Sequence, residues 1–367
     1  MSSDTGFREI QEELDEHGIL AHMEHHKPEL EEGRESFGIG YPITGIEKFL
    51  GYFDKSINIA NFPSISLTTD FSIAFSRCVY LKETGKDRVL LDGVSKPNYT
   101  ERAKKAIEFF KNLYEIRGSF QFEIRRKRKY ASAKGLGESA AIAAAAARSL
   151  AVNVFGESVL KDSAMISRLA RLVSGSGTRS VTGGVSVWVS YPYIDEAASY
   201  GSRLPVDVNK IHFGCFPFPS PTLTVNAHEK AVLSPFYNSW GSLKADEILG
   251  IIRGGYDINH LLDLAQQDMF RMHSVMMSQG EFLVTSDSLR ILQDFMEFQK
   301  KNEGIFVTAD TGPSLVLLSL DRGLIEDFIK SQKRKFLWGR SPKNLESSSE
   351  QVNIFNLFEE GEDFEKR

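Results

Sequence analysis

Two spacings of apolar residues run along the chain, and the places where one gives way to the other mark out its elements. Short stretches rich in β-branched residues, bounded by turn-formers, predict strands at 64–69, 78–81, 88–91, 119–124 and 185–189. Further strands are predicted at 211–216, 305–308 and 315–320. Ala103, Ile107, Phe110 and Leu113 fall on one stripe of a helix over 98–114, and Ile166, Leu169 and Val173 on one over 163–173. Residues 140–152 read as a helix on alanine propensity. Long helices are expected at 242–253, 260–277 and 286–301, and a shorter one at 325–330. Helix formers with apolar Ile10, Leu14 and Leu20 predict an accessory extension over 7–35, interrupted at Pro28, that packs on the body or on a second subunit.

Strands and helices alternate without a regular parallel period, so the expected class is α+β. A chain of 367 residues is too long for one compact core and suits two packed lobes. The division read from the pattern is an acidic extension (1–36), a first lobe (37–205), a second lobe (206–342) and a serine- and acid-rich tail (343–367). Cys78 and Cys215, far apart, form neither a disulfide framework nor a metal cluster. Residues 140–147 are the longest apolar run, too short for the ~20 residues that span a bilayer, and the acidic N-terminus does not resemble a signal peptide. A cytoplasmic protein without membrane contact is expected.

Charge sharpens this picture. The first 36 residues hold 11 acidic and 3 basic side chains, and 341–367 hold 7 and 3, so the body carries a positive balance within a chain of −5. A basic body favours an anionic ligand. No nucleic-acid recognition motif accompanies it, and none is expected as a partner. His22, His25 and His26 have the spacing of one helix face, but solvated histidines beside glutamates are the simpler reading than a metal site.

The strongest local motif is Ala133-Lys134-Gly135-Leu136-Gly137-Glu138-Ser139-Ala140-Ala141. Glycines permit a tight turn, and the helix start that follows presents free N–H groups, the elements of a phosphate loop. An ordinary helix start is the other reading; a Walker loop is excluded, because its Gly-Lys-Ser/Thr ending is missing. The segment resembles the GHMP kinases, whose loop reads Pro-x-x-x-Gly-Leu-x-Ser-Ser-Ala-Ala. Ala131 replaces the proline and Glu138 the first serine. A carboxylate ~4 Å from a phosphate charge costs several kcal/mol at an effective dielectric of ~20 unless magnesium bridges them. Glu138 therefore argues against tight nucleotide binding. The basic run Arg125-Arg126-Lys127-Arg128-Lys129 enters this loop; alternation lets at most about half of it face a ligand, and a solvated edge strand is expected.

Three motifs narrow the resemblance to one branch. Gly45-Ile46-Glu47-Lys48-Phe49-Leu50-Gly51-Tyr52-Phe53-Asp54, followed by Pro63-Ser64-Ile65-Ser66-Leu67-Thr68, resembles the diphosphomevalonate decarboxylase pattern Ala-x-x-Lys-Tyr-Trp-Gly-Lys-x-Asp then Ser-Ser-Leu-Ser-x-Thr. Ser174-Gly175-Ser176-Gly177-Thr178-Arg179-Ser180, with Gly183-Gly184 and Trp188, is similar to that family's Gly-Ser-Gly-Ser-Ala-Cys-Arg-Ser and its following strand. Thr308-Ala309-Asp310-Thr311-Gly312-Pro313-Ser314 is similar to Asp-Ala-Gly-Pro-Asn, and Leu90-Leu91-Asp92-Gly93 to a Leu-Asn-Gly before a helix. The ordered set, covering about 42–330, is specific where each part alone is weak.

The resemblance implies a two-lobed GHMP fold, with a ribosomal-protein-S5-like first lobe and a ferredoxin-like second lobe, in a homodimer. It places the family's catalytic aspartate, lysine and arginine on Asp310, Lys48 and Arg179, and phosphate-end contacts on Ser174 and Ser176. Ser139, Tyr52 and Ser234 are further substrate-binding candidates, and Gly135, Gly137 and Glu138 form the glycine-rich loop. Tyr52 stands where the family has a lysine, so a cation that meets a diphosphate is gone, which suits a monophosphate at C5. His273, after Asp268, reads as a packed core histidine. Decarboxylation residues beside an altered nucleotide loop suggest a phosphorylated mevalonate that arrives already phosphorylated at C3, the substrate of archaeal mevalonate 3,5-bisphosphate decarboxylases, with no cofactor and no metal. The alternatives are an ATP- and Mg2+-dependent decarboxylase of diphosphomevalonate or phosphomevalonate, a mevalonate 3-kinase, and a non-catalytic ligand-binding relative.

Overall fold

The computed structural model describes residues 3–342 apart from 84, 131, 134 and 220–226; the tail expected over 343–367 lies outside the described residues. Three four-stranded sheets organise the described residues. In the first, β1 (Glu35–Gly40), β6 (Ser72–Leu81), β8 (Ser119–Arg128) and β7 (Arg88–Leu91) lie in that order. In the second, the order is β10 (Gly201–Arg203), β9 (Val185–Trp188), β5 (Ser64–Thr68) and β2 (Ile43–Glu47). The third orders β12 (Ile305–Thr308), β13 (Leu315–Ser319), β11 (His212–Phe216) and β14 (Leu337–Gly339). A small ribbon pairs β3 (Tyr52–Asp54) with β4 (Ile59–Ala60). Apart from the parallel β7–β8 pair, the ladders are antiparallel, the pattern of an α+β fold.

Among the described residues, ten helices pack on these sheets: α1 (Ser3–Glu16), α2 (Pro97–Leu113), α3 (Glu138–Phe155), α4 (Ser163–Val173), α5 (Gly177–Thr182), α6 (Ala227–Ala231), α7 (Tyr237–Arg253), α8 (Ile258–Met277), α9 (Ser286–Gln299) and α10 (Arg322–Lys330). The alanine-rich α3 is buried on every side from Ala140 to Phe155. Its small side chains let β1 come so close that a Cβ on Gly40 would lie 2.0 Å from the Ala141 carbonyl oxygen. One core joins the first sheet to α2, α3 and α4, and another joins the third sheet to α9 and α10. Between them a large cluster packs Ile65, Leu67 and Val187 of the second sheet against Trp240, Ile248, Leu261 and Met272 of α7 and α8. That seam holds the site described below.

The extension departs from its expected form. Its helix stops at Glu16, and 19–30 run without regular structure, so His22, His25 and His26 share no helix face. Tertiary contacts explain this. Asp162 accepts the Glu24 N–H at 2.8 Å and pairs with His26 at 2.9 Å, and the Glu29 N–H reaches the Val154 carbonyl. Phe7, Ile10 and Leu14 of α1 are buried in the seam, while Arg253 of α7 pairs with Glu9 and Glu13. The extension thus packs on the body of its own chain. Among the described residues, no group of three or more His, Cys, Asp or Glu is placed to hold a metal, and no helix is long and apolar enough to cross a membrane.

Candidate active site

Lys48 follows the last residue of β2, and Asp310 follows β12 by two residues; the seam brings them together. The Lys48 ammonium lies 2.9 Å from Asp310 Oδ1, 2.6 Å from the Gly45 carbonyl oxygen and 2.6 Å from Thr308 Oγ1. An ammonium has three protons, so all three are engaged. The Gly45 N–H also donates to Asp310 Oδ1 at 3.1 Å. Glycine is needed here, because a Cβ would stand 2.8 Å from Lys48 Cδ and 3.0 Å from that carboxylate oxygen. Lys48 is 2% exposed, whereas the Asp310 side chain keeps 22% and opens outward.

Arg179, on the short helix α5, behaves differently. Its side chain is 2% exposed, its Nε has no hydrogen-bond partner, and its guanidinium stacks 6.0 Å from the Trp188 ring. Among the described residues no carboxylate comes within ion-pairing distance of it. Burial pushes its pKa down to about 10, with the fields of Asp310 and Tyr52 opposing that shift. A desolvated cation without an acceptor is costly, and an incoming carboxylate or phosphate would relieve that cost.

Around Arg179 lies an aromatic floor. Phe49 meets Trp188 edge-on at 4.9 Å and Tyr52 at 5.1 Å, and Tyr52 stacks on His228 at 4.7 Å. Gly175 lets the Ser174–Ser176 loop rest on this floor, since its Cβ would meet the Trp188 ring at 2.8 Å. Ser174 and Ser176 face each other at 3.4 Å. Burial raises the Tyr52 pKa, opposed by Arg102, the Gly175 N–H and Arg179, which places Tyr52, Gly175 and the two cations in one neighbourhood. His228 accepts the Gly51 N–H on Nδ1 at 3.1 Å, so a neutral ring carries its proton on Nε2. Burial, helped by Arg102 and Lys55, lowers its pKa to about 4.

The glycine-rich loop closes over the other side. Gly137 adopts φ +70° and Gly135 φ +77°, and a Cβ on Gly135 would lie 2.6 Å from Gly312 Cα, so the loop rests directly on the Asp310 loop. The helix begins at Glu138, two residues before its predicted start. Its carboxylate is gripped by Arg126 at 2.7 Å and by both ends of the Arg128 guanidinium. Burial raises the Glu138 pKa, but these arginines win and hold it below the usual range. Arg126 and Arg128 are two apart on β8, so both turn to one face. The expected solvated edge is corrected here: the strand has lost its β7 neighbour beyond Ile124, yet Arg126 is only 8% exposed and is bonded to Glu138 and Asp92. The helix start therefore carries a carboxylate of its own, with two arginines bonded to it.

Lys48, Asp310 and Arg179 are therefore linked through direct contact or field, with Tyr52, Ser174 and Ser176 beside Arg179. Ser139 sits in the first turn of α3 next to Glu138. Ser234 is engaged elsewhere: its hydroxyl is 2.6 Å from that of Ser278 and accepts the Phe236 N–H. His273 is buried as expected, and it also donates from Nε2 to the Asp310 carbonyl at 3.3 Å. Sequence reasoning missed Arg102, His228 and Thr308. Arg102 and His228 lie in segments without a recognised motif; Thr308 stood in view beside Asp310, but its partner Lys48 is 260 residues away.

Comparison with known proteins places the chain in a family. Residues 41–197 match the diphosphomevalonate decarboxylase-like N-terminal domain. The chain is 43% identical over 331 residues to the mevalonate 3,5-bisphosphate decarboxylase of Thermoplasma acidophilum, covering 90% of this chain and 82% of that protein. It is 41% identical over 349 residues to the one of Thermoplasma volcanium, covering 94% of each. Among solved structures, the mevalonate diphosphate decarboxylase of Enterococcus faecalis superposes with a TM-score of 0.72 at 18% identity, over 85% of this chain and 99% of that one. Mevalonate-3-kinase from T. acidophilum gives 0.66 at 14% identity, over 84% and 96%. These last two establish the fold alone. With its sheets, its glycine loop and its level of identity to those Thermoplasma relatives, the chain belongs to the diphosphomevalonate decarboxylase family of the GHMP superfamily.

Proposed function

We propose that this protein decarboxylates mevalonate 3,5-bisphosphate without ATP, releasing CO2 and inorganic phosphate and leaving isopentenyl phosphate. The observation that carries this reading is the Glu138 carboxylate locked between Arg126 and Arg128 at the start of α3, beside a Lys48–Asp310–Arg179 set that remains whole. The names of the Thermoplasma relatives support the same substrate.

In such a reaction the C1–C2 bond breaks, its electrons form the C2–C3 double bond, and the C3–O bond breaks as phosphate leaves. Negative charge grows on the departing phosphate. A preorganised, desolvated guanidinium such as Arg179 stabilises that charge without solvent reorganisation, an effect worth roughly 3 kcal/mol per well-placed donor. Asp310, fixed by Gly45 and Lys48, supplies the opposing charge that orients the cationic wall. Ser174, Ser176, Tyr52 and Arg102 form a polar end suited to a single phosphate at C5. No step needs a nucleotide or a metal. The reading carries with it a cytosolic location, expected from the sequence pattern, and a homodimer, drawn from the family resemblance.

Purified protein offered mevalonate 3,5-bisphosphate, diphosphomevalonate and phosphomevalonate in turn should release CO2 from the first alone. Preference for diphosphomevalonate in the presence of ATP would replace this reading with that of an ATP-dependent decarboxylase.

A further inference from the structure

Helix α8 touches the Lys48–Asp310 pair at two points and the strand beside it, β12, at two more. The Ala265 carbonyl accepts the Thr308 hydroxyl proton at 2.9 Å, which turns a Thr308 lone pair toward the Lys48 ammonium at 2.6 Å. Gln266 accepts the Val307 N–H at 3.0 Å and so fixes the strand that carries Thr308. Asp268 Oδ2 accepts the Lys48 backbone N–H at 2.5 Å. His273 donates to the Asp310 carbonyl from the next turns of the same helix. Asp268 is itself held: Trp240 Nε1 donates to its Oδ1, and the Lys244 ammonium lies 3.1 Å from its Oδ2 while also pairing with Glu47. Thr308, Asp268 and Lys244 are fully buried.

The contrast with Arg179 is sharp. Every proton of the Lys48 ammonium is taken by protein, whereas the Arg179 guanidinium has no carboxylate on it. We propose that α8 is a positioning element, acting through its own Asp268 and through Thr308 of β12, which its Ala265 carbonyl orients. In this arrangement Lys48 acts on the reaction through Asp310, and Arg179 is the cation that meets the substrate. The proposal rests on the decarboxylase reading for its kinetic consequences, but not for its geometry.

A positioning residue that never touches substrate should alter turnover and leave affinity alone. Thr308→Val keeps the shape and removes the acceptor; Thr308→Ser keeps the acceptor. The expected result is a kcat about tenfold or more lower for T308V with KM within about twofold, and near wild-type kcat for T308S. Unchanged kcat in T308V, a rise in KM alone, or failure of T308S to rescue would overturn the proposal. A substrate-free arm follows the Lys48 ammonium by NMR in 15N-lysine-labelled protein. Protons protected from water exchange in the wild type support the proposal, and rapid exchange overturns it. Absence of bisphosphate turnover by the wild-type protein would count against the decarboxylase reading, and the NMR arm would still decide this one.

Discussion

The proposed chemistry turns on two side chains, Arg179 and Glu138, one a cation lacking an anion and the other an anion already supplied with cations. With its pKa lowered to about 10, Arg179 loses its charged form as pH rises through that value, well below the range of an exposed guanidinium. The rate profile should therefore fall on the alkaline side near pH 10, as initial rates across pH would show. Arg179→Lys keeps a charge but not the planar fork, and should cost ~100-fold in kcat/KM by steady-state kinetics. Glu138→Ser frees Arg126 and Arg128, and titration calorimetry should then detect a pyrophosphate or ATP affinity that the wild type lacks. The candidates Lys48, Asp310 and Arg179 could be singled out because each stands in a recognisable local motif. Their supports could not: Thr308 and Asp268 hold a lysine more than 200 residues away, and no local pattern records such a pairing. Glu138 stood out in the sequence as a carboxylate in the glycine-rich loop, but its neutralisation by alternate arginines became visible only once β8 and α3 lay side by side.

At the scale of elements, α1 is the least expected contributor. Ile10 and Leu14 are completely buried in the seam, next to α7. Leu14→Ala should destabilise the fold by ~2–5 kcal/mol, measurable as a lower urea midpoint, because the cavity it leaves lies in a packed core. The apolar positions of this helix were readable from spacing, and its end lies at Gly18, whose φ of +65° closes it with the Ile19 N–H on the Leu14 carbonyl. Hydrogen bonds to Asp162 and Val154 then hold the following segment outside regular structure, which spacing alone does not record. The start of α3 moved for a comparable reason. Alanine propensity marks its interior, whereas Gly137 in the left-handed region sets its first turn at Glu138. Strands of the second sheet such as β2 and β10 went unpredicted, being short and fully or largely enclosed rather than alternating.

For the whole molecule, the seam between the second sheet and α7–α8 is both core and active-site wall, so stability and activity respond to the same groups. Burial, with help from Lys48, pushes the His273 pKa to about 4, against an unperturbed value near 6.5. The unfolded chain therefore takes up a proton that the folded chain refuses. Stability contributed by neutral His273 is present above pH ~6.5 and is lost as pH falls toward 4, a change of ~3 kcal/mol at most. Thermal melts of His273→Gln should show a shallower loss over that window than the wild type. The α+β class could be anticipated from alternating elements, but the way the extension and the seam join the parts depends on contacts across the full length of the chain. The central claim is that the C3 phosphate arrives with the substrate and is not added by this protein. It is tested most directly by measuring CO2, phosphate and ADP together from mevalonate 3,5-bisphosphate, with and without ATP and Mg2+. Equal CO2 and phosphate, no ADP and an unchanged rate are predicted; CO2 release that requires ATP and forms ADP in step would contradict it.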